Sequence, residues 1–271
     1  MYVDITFATC CFVWTISMNL PKYALEYTSL APPPSLTAVI ESIWMLKNHS
    51  DKIDEGIIIP DGKIDLFLLM EENNNIQIFI SGVCDKPILK PPYPKSTMFA
   101  ISFYPLAAEY IFKQSFKKLR NQRLVLANDY LGFGKNDLAD FGNFYTKACN
   151  IFEKQLENKI DVRKKKLFEH IYLSKGQTTV EELSNKIIWS NRQINRYFNH
   201  WFGIPLKSYI NIIRFSNSLK QLKVGIFYPE LNYVDQSHFI RQIKKFSGVR
   251  PTILHKNEND RFIQLSVLTD R

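Results

Sequence analysis

Along the first half of the chain apolar residues come in short runs broken by turn residues, and along the second half they recur every three or four positions. The runs Gly56 to Ile59, Ile64 to Met70, Ile76 to Ile80 and Thr97 to Phe103 have strand length, and Pro32 to Pro34, Pro60, Pro87, Pro91, Pro92, Pro94 and Pro105 punctuate the region. Asp61-Gly62 and Glu71 to Asn75 lie between consecutive runs, which predicts antiparallel hairpins at both places. Ser35 to Leu46 and Pro105 to Lys118 instead place apolar residues at helical spacing, so the first half is read as a β-sheet with a few helices.

Gly132-Phe133-Gly134 marks a boundary, and the amphipathic stretch Leu138 to Leu156 predicts a connecting helix. Beyond residue 160 proline is sparse, leaving Pro205, Pro229 and Pro251 beside inferred helix ends, so this part is read as all-helical. The expected fold class is α+β: a β-rich, sensor-like or dimerisation domain over 18–132, a linker helix over 133–158, a helical domain over 159–258 and a tail over 259–271. The apolar stretch Ile5 to Met18 is too short to span a bilayer and lacks the basic start of a signal peptide. Residues 1–17 read as an upstream extension in preference to a first strand, with Met18 as the natural start.

An internal repeat organises the helical part. Ser190 to Pro205 (SNRQINRYFNHWFGIP) and Asp235 to Pro251 (DQSHFIRQIKKFSGVRP) align at an offset of 45 residues, matching Ile194 with Phe239, Arg196 with Arg241, Phe198 with Ile243, Trp201 with Phe246 and Gly203 with Gly248. Each copy opens on a side chain that can cap a helix, Ser190 or Asp235, and closes on a glycine suited to a left-handed cap. In the first copy Ile194, Tyr197, Phe198 and Trp201 form a buried stripe, and the opposite stripe carries Arg192, Asn195, Arg196 and Asn199. In the second, Phe239, Ile243 and Phe246 point inward and Gln236, Ser237, Arg241, Lys244 and Lys245 outward.

A basic amphipathic helix alone is weak evidence of function, since most are solvated faces. The preceding Thr179 to Ile187 supplies the first helix of a helix-turn-helix, with Thr178 or Thr179 as its cap, Val180, Leu183 and Ile187 as its stripe and Ile188-Trp189 as the turn. Leu206 to Leu222 then forms a spacer helix of about 25 Å, able to set two reading helices in successive major grooves about 34 Å apart. Arginine forks and amides suit base edges, and lysines suit phosphates.

Charge reinforces this reading. The chain has formal net charge +9, but residues 160 to 256 hold 17 Lys+Arg against 6 Asp+Glu, so the excess is confined to the helical part and favours a polyanionic partner there. Cys10, Cys11, Cys84 and Cys149 form no CxxC pair and the histidines do not cluster, which points away from zinc, other metals or a disulfide framework and fits a reducing cytoplasm. No cofactor is expected. For an enzyme, the first half offers His49 and the scattered Asp51, Asp54, Asp61 and Asp65, the last two read as a solvated turn. Trp44, Phe67, Phe79, Tyr93, Phe99, Phe103 and Tyr104 can line either a core or a small-molecule pocket.

The stretches WSNRQINRYFNHWFG and NYVDQSHFIRQIKKFSGVRP resemble the AraC/XylS family of transcription regulators over about residues 160 to 255. The resemblance implies a double helix-turn-helix that reads double-stranded DNA, with base-contacting places on Arg192, Asn195 and Arg196 and on Gln236, Ser237 and Arg241. It also implies RNA polymerase as a partner, and a first half like the β-rich sensor domain of some bacterial members, with a small-molecule effector or a homodimer contact. Between Leu222 and Tyr233, KVGIFYPELN replaces a longer segment, so the first helix of the second unit is expected to be about one turn short at Pro229, with Ile226, Phe227 and Tyr228 packing in its place. An interaction protein with a degenerate helix-turn-helix, and more remotely a nucleic-acid-processing enzyme, are the competing readings.

Overall fold

The structure is a computed structural model that describes residues 16–20, 25–50, 56–90, 93–156, 159–258 and 261–268. It is an α+β chain in which a β-sheet half precedes a helical half. Residues 1–15 of the expected extension lie outside the described residues, whereas Ile16 and Ser17 open the first strand.

Seven strands form an antiparallel sheet in the order β1 (Ile16–Leu20), β2 (Leu25–Leu30), β3 (Ile40–Asn48), β8 (Ser96–Phe103), β5 (Ile64–Met70), β6 (Ile76–Ser81) and β9 (Arg123–Leu126). The short β4 (Gly56–Ile58) and β7 (Ile88–Lys90) pair in a separate ribbon. The expected hairpin over Glu71 to Asn75 is present, closed by the Glu71 N–H on the Asn75 carbonyl at 3.0 Å. The hairpin expected at Asp61-Gly62 is not, because β4 pairs with β7 while β5 pairs with β6 and β8.

The stretch Ser35 to Leu46 is also corrected. It forms a 3-10 turn at Pro34–Leu36 and then β3. Its helical spacing is real in burial, since Leu36, Val39, Ile40 and Ile43 are all buried. A bulge at Glu41 produces it: Ile40 faces Phe103 and Ser42 faces Ser102, so the extra residue puts Ile40 and Ile43 on the same face of a strand. Pro105 to Lys118 contains only the single turn α1 (Ala107–Tyr110) and a 3-10 turn at Lys117–Leu119. Beyond the helix Lys113 turns the chain at φ +51°, and the Phe112 ring meets both Phe116 and Phe103.

Both faces of the central strands are covered, which explains the near-continuous apolar run of β5. Leu66, Leu68, Ile78, Ile80, Phe99, Ile101 and Phe103 belong to the main core. Helix α2 (Phe141–Gln155), capped by Asp140 on the Asn143 N–H at 2.9 Å, lies against that face, with Phe144 5.1 Å from Phe99 and Phe152 5.0 Å from Phe103. Phe67, Leu69, Phe79, Met98 and Ala100 form a second cluster on the opposite face.

The helical half runs α3 (Val162–Leu173), α4 (Val180–Ile187), α5 (Asn191–Phe202), α6 (Leu206–Lys223), α7 (Gln236–Ser247), α8 (Pro251–Lys256) and α9 (Ile263–Ser266). Its interior is continuous with the core of the sheet half. Tyr209 and Ile213 of α6 close over Gly62, Phe103 meets Phe152 of α2 edge to face, and all four side chains belong to one apolar interior. The expected tail is a structural element. The Ile57 N–H donates to the Arg261 carbonyl at 2.6 Å, Phe262 bridges Ile57, and the Gln264 amide exchanges two hydrogen bonds with the backbone of Ile59 at 3.1 and 2.9 Å.

The second unit departs further from expectation. Between α6 and α7 there is no helix at all, in place of one a turn short. Gly225 turns the chain at φ +82° and Pro229 supplies no N–H, so the segment is held from outside. The Gln221 amide donates to the Tyr228 carbonyl at 2.6 Å, the Phe227 ring meets His255 at 5.4 Å, and Tyr233 bonds Ser218 at 2.9 Å while packing on Phe239 at 5.0 Å. Of the three residues expected to fill in, Phe227 packs on the core whereas Tyr228 is exposed.

Candidate nucleic-acid interface

The first helix-turn-helix is built by local chemistry. The Thr179 hydroxyl accepts from the Glu182 N–H at 3.1 Å, and the Glu182 carboxylate accepts from the Thr179 N–H at 2.8 Å, a reciprocal capping box that starts α4. The Thr179 N–H and the Thr178 hydroxyl, both donating to it, hold the Glu182 carboxyl below its ordinary range. Ile188 ends α4 in the left-handed region at φ +54°, fully turned to solvent, and the Ser184 hydroxyl fixes the turn by donating to the Trp189 carbonyl at 2.9 Å. Ser190 and Gln193 repeat the capping box for α5, which ends at Gly203 with φ +70°. In the second unit Asp235 caps α7 through the His238 N–H at 2.6 Å, and Gly248 closes it at φ +80°.

Ile194, Tyr197 and Phe198 of α5, and Phe239, Ile243 and Phe246 of α7, are buried as the stripes require. Arg192, Arg196, Gln236, Ser237, Arg241, Lys244 and Lys245 are exposed. Among the described residues none of the five cations in this group lies within 4.0 Å of a carboxylate, whereas Arg163, Lys164 and Lys165 on α3 all have acidic partners. The cations of the two outward stripes therefore make no direct ion pair, although the charge of Lys245 acts on Asp85, and cations without a close carboxylate are suited to contacts with phosphate.

Asn195 differs from its neighbours. Its Nδ2 donates to the Asn191 carbonyl at 2.9 Å, and its Oδ1 accepts from the Leu206 N–H at 3.2 Å. Pro205 offers no side-chain cap to α6, so Asn195 acts as that cap from the neighbouring helix. Its amide is half-buried and committed within the fold.

The C-terminal end of α5 is seated on the sheet half. The Phe116 N–H donates to the Trp201 carbonyl at 2.8 Å, the Ser115 hydroxyl to His200 at 2.5 Å and the Arg120 guanidinium to Gly203 at 3.1 Å. Arg120 is held in turn by Asp85 at 2.5 Å. Burial raises the Asp85 carboxyl, but hydrogen bonds from Arg120 and Asn121 outweigh it and leave the group below its ordinary range. Nothing in the sequence pattern pointed to this seat, because its two sides are about 85 residues apart.

Behind the helices a cavity of about 790 Å³ lies between the outer face of the sheet, α6 and the α9 segment. Trp44, Phe67, Phe79 and Tyr93 line it, whereas Phe99 and Phe103 belong to the core on the other face. Asp61 and Asp65 line it as well, so they are not the solvated turn residues expected from the sequence. Burial, with the charge of Asp61, pushes the Asp65 carboxyl well above its ordinary value, and burial raises Asp61 too. Cys84 also faces this space, and burial lifts its thiol to about 12. Among the described residues no group of three or more His, Cys, Asp or Glu has a metal-holding arrangement, and no helix is long and apolar enough to cross a membrane.

Residues 28–125 match the model of a family described only as a domain of unknown function (DUF6597). No curated protein matches the chain. Among solved structures the chain is similar to an apo variant of ToxT from Vibrio cholerae, at 13% identity and a TM-score of 0.43, covering 83% of this chain and 98% of that one. It is also similar to unsaturated fatty acid-bound wild-type ToxT from Vibrio cholerae, at 14% identity and a TM-score of 0.41, covering 86% of this chain and 97% of that one.

Proposed function

We propose that this chain is a sequence-specific double-stranded DNA-binding transcription regulator of the AraC/XylS type. The observation that carries the reading is the pair of capped helices, α5 and α7, each exposing cations with no carboxylate within 4.0 Å on the side opposite its buried aromatics. Arg192 and Arg196 in the first helix and Gln236, Ser237 and Arg241 in the second read bases, and Lys244 and Lys245 contact phosphates. Asn195 serves this face by fixing α5 against α6. The spacer α6 has 18 residues and spans about 27 Å, against about 34 Å for one helical turn of DNA. The sheet half modulates affinity through its cavity or through a contact with a second copy.

The test is selection of binding sites by the full-length chain from random duplex DNA, followed by salt titration on the selected sequence and on a scrambled control. Two short motifs about one helical turn apart, with affinity falling steeply as salt rises, are the expected result. Arg196→Ala should cost about 1–3 kcal/mol and relax specificity at one position, and Lys244→Ala should weaken all sequences alike. Absence of any enriched motif, with a shallow salt slope, favours the interaction-protein reading instead.

A further inference from the structure

The outer face of the sheet carries two adjacent cross-strand rows of different chemistry. In one, Ser42 of β3, Ser102 of β8, Asp65 of β5 and Ser81 of β6 stand opposite one another in register. In the next, two residues along each strand, stand Trp44, Ala100, Phe67 and Phe79. Trp44 and Phe67 meet edge to face at 5.9 Å, and Phe67 stacks on Phe79 at 4.9 Å, so the second row is an aromatic wall. Apart from Ala100, both rows line the cavity roofed by Leu219 of α6 and by Gln264 and Leu268.

The carboxyl of Asp65 sits at the junction of the rows. It accepts from the Ser102 hydroxyl at 2.6 Å, and that hydroxyl accepts from the Trp44 indole N–H at 3.0 Å. Asp61 adds a second carboxyl to the same end of the cavity. Among the described residues neither has a cation within 4.0 Å. Lys63 also lines the cavity and its charge acts on both carboxyls from beyond 4.0 Å, but its ammonium lies 4.0 Å from the Tyr104 ring centroid, 4.8 Å from that of Tyr172 and 3.9 Å from Glu41. Arg123 and Lys220, which also line the space, are exposed at its edge, and Arg123 is tied to the Tyr93 hydroxyl at 2.9 Å. A half-buried carboxylate beside an aromatic wall is costly without a close counterion, and a ligand that brings one recovers that cost.

We propose that this cavity binds a small organic ammonium, its cationic head held by Asp65 and Asp61 and its apolar or aromatic body laid along Trp44, Phe67 and Phe79. The volume is within the range of small-molecule sites, and the rings offer cation–π attraction besides apolar contact. Burial that holds both carboxyls above their ordinary range is consistent with a site awaiting positive charge. The proposal names the ligand class for the modulatory role given above to the sheet half, but binding itself is measurable without DNA.

The test is calorimetric titration of the full-length chain with phenylbutylamine, phenylbutanol and phenylbutyrate, which share one body and differ in head-group charge. The amine is expected to bind roughly tenfold more tightly than the alcohol, and Asp65→Asn to abolish that preference. Asp61→Asn should reduce the preference and provides the same reading should Asp65→Asn not fold. A preference for the carboxylate, equal affinity for all three, or no saturation by the amine at millimolar concentration overturns the proposal. DNA affinity measured with and without bound amine separates the two readings: no change leaves the cation site standing and removes its regulatory role.

Discussion

The Tyr209 hydroxyl on α6 donates to the Gly62 carbonyl at 3.0 Å, joining the spacer of the helical half to the turn before β5 across 147 residues of sequence. Gly62 is required there twice over. Its φ is +79°, and a Cβ would come within 2.7 Å of the Ile213 methyl and 3.2 Å of the Tyr209 ring. Gly62→Ala should therefore destabilise by more than about 1 kcal/mol, from left-handed strain and overpacking together, and lower the melting temperature. An unchanged melting curve would show that α6 does not press on this turn.

Ile188 holds a conformation that β-branched residues rarely adopt, at φ +54°, with its side chain exposed and nothing gained from packing. Ile188→Gly should stabilise the fold by about 1 kcal/mol through relief of that strain, read by denaturant unfolding. Destabilisation instead would mean that the Ile188 side chain has a partner in solution.

Asn195→Ala removes the cap that α6 borrows from α5. A loss of about 1 kcal/mol in stability is expected, with a fall in DNA affinity spread over all positions of the site. Loss of discrimination at a single base pair, with stability unchanged, would instead make Asn195 a direct reader.

Asp65 gives a pH dependence with a definite sign. Its carboxyl is raised well above 3.8 in the fold, chiefly by burial. Between 3.8 and the raised value the folded chain holds a proton that the unfolded chain has released, so Asp65 makes stability fall as pH climbs through that window. Asp65→Asn should melt higher than the parent at neutral pH, and the difference should vanish below 3.8. Thermal melts of both chains across the acid-to-neutral range decide it, and a parent that melts higher at neutral pH would contradict the assignment.

Features of the sequence that act within a few residues carried through to the structure. The caps Thr179, Ser190 and Asp235, the closing glycine Gly248 and the turn at Glu71 to Asn75 all use partners three or four residues away, and Gly203 ends α5 through its own left-handed φ. What was not legible depends on distant chain. The bulge at Glu41 is set by pairing with β8, and it gave β3 the burial spacing of a helix. Asp61 and Asp65 resemble a solvated turn until α6 and α9 cover them, and Arg261 to Leu268 resemble a tail until Ile57 and Ile59, some 200 residues earlier, supply a docking edge. Asn195 lies on the outward stripe of α5 by periodicity, and only the position of the Leu206 N–H shows that its amide is already used.

The interior that runs unbroken from the sheet into the helices has a thermodynamic meaning. A chain with a clean boundary can melt one half while the other stays native, and free energy supplied to one half stays there. Here Phe103, Phe152, Phe168, Tyr209 and Phe215 belong to a common interior, so losing the order of either half strips apolar cover from the other. The molecule should melt in one calorimetric transition, and whatever steadies the sheet steadies α5 and α7 by the same amount.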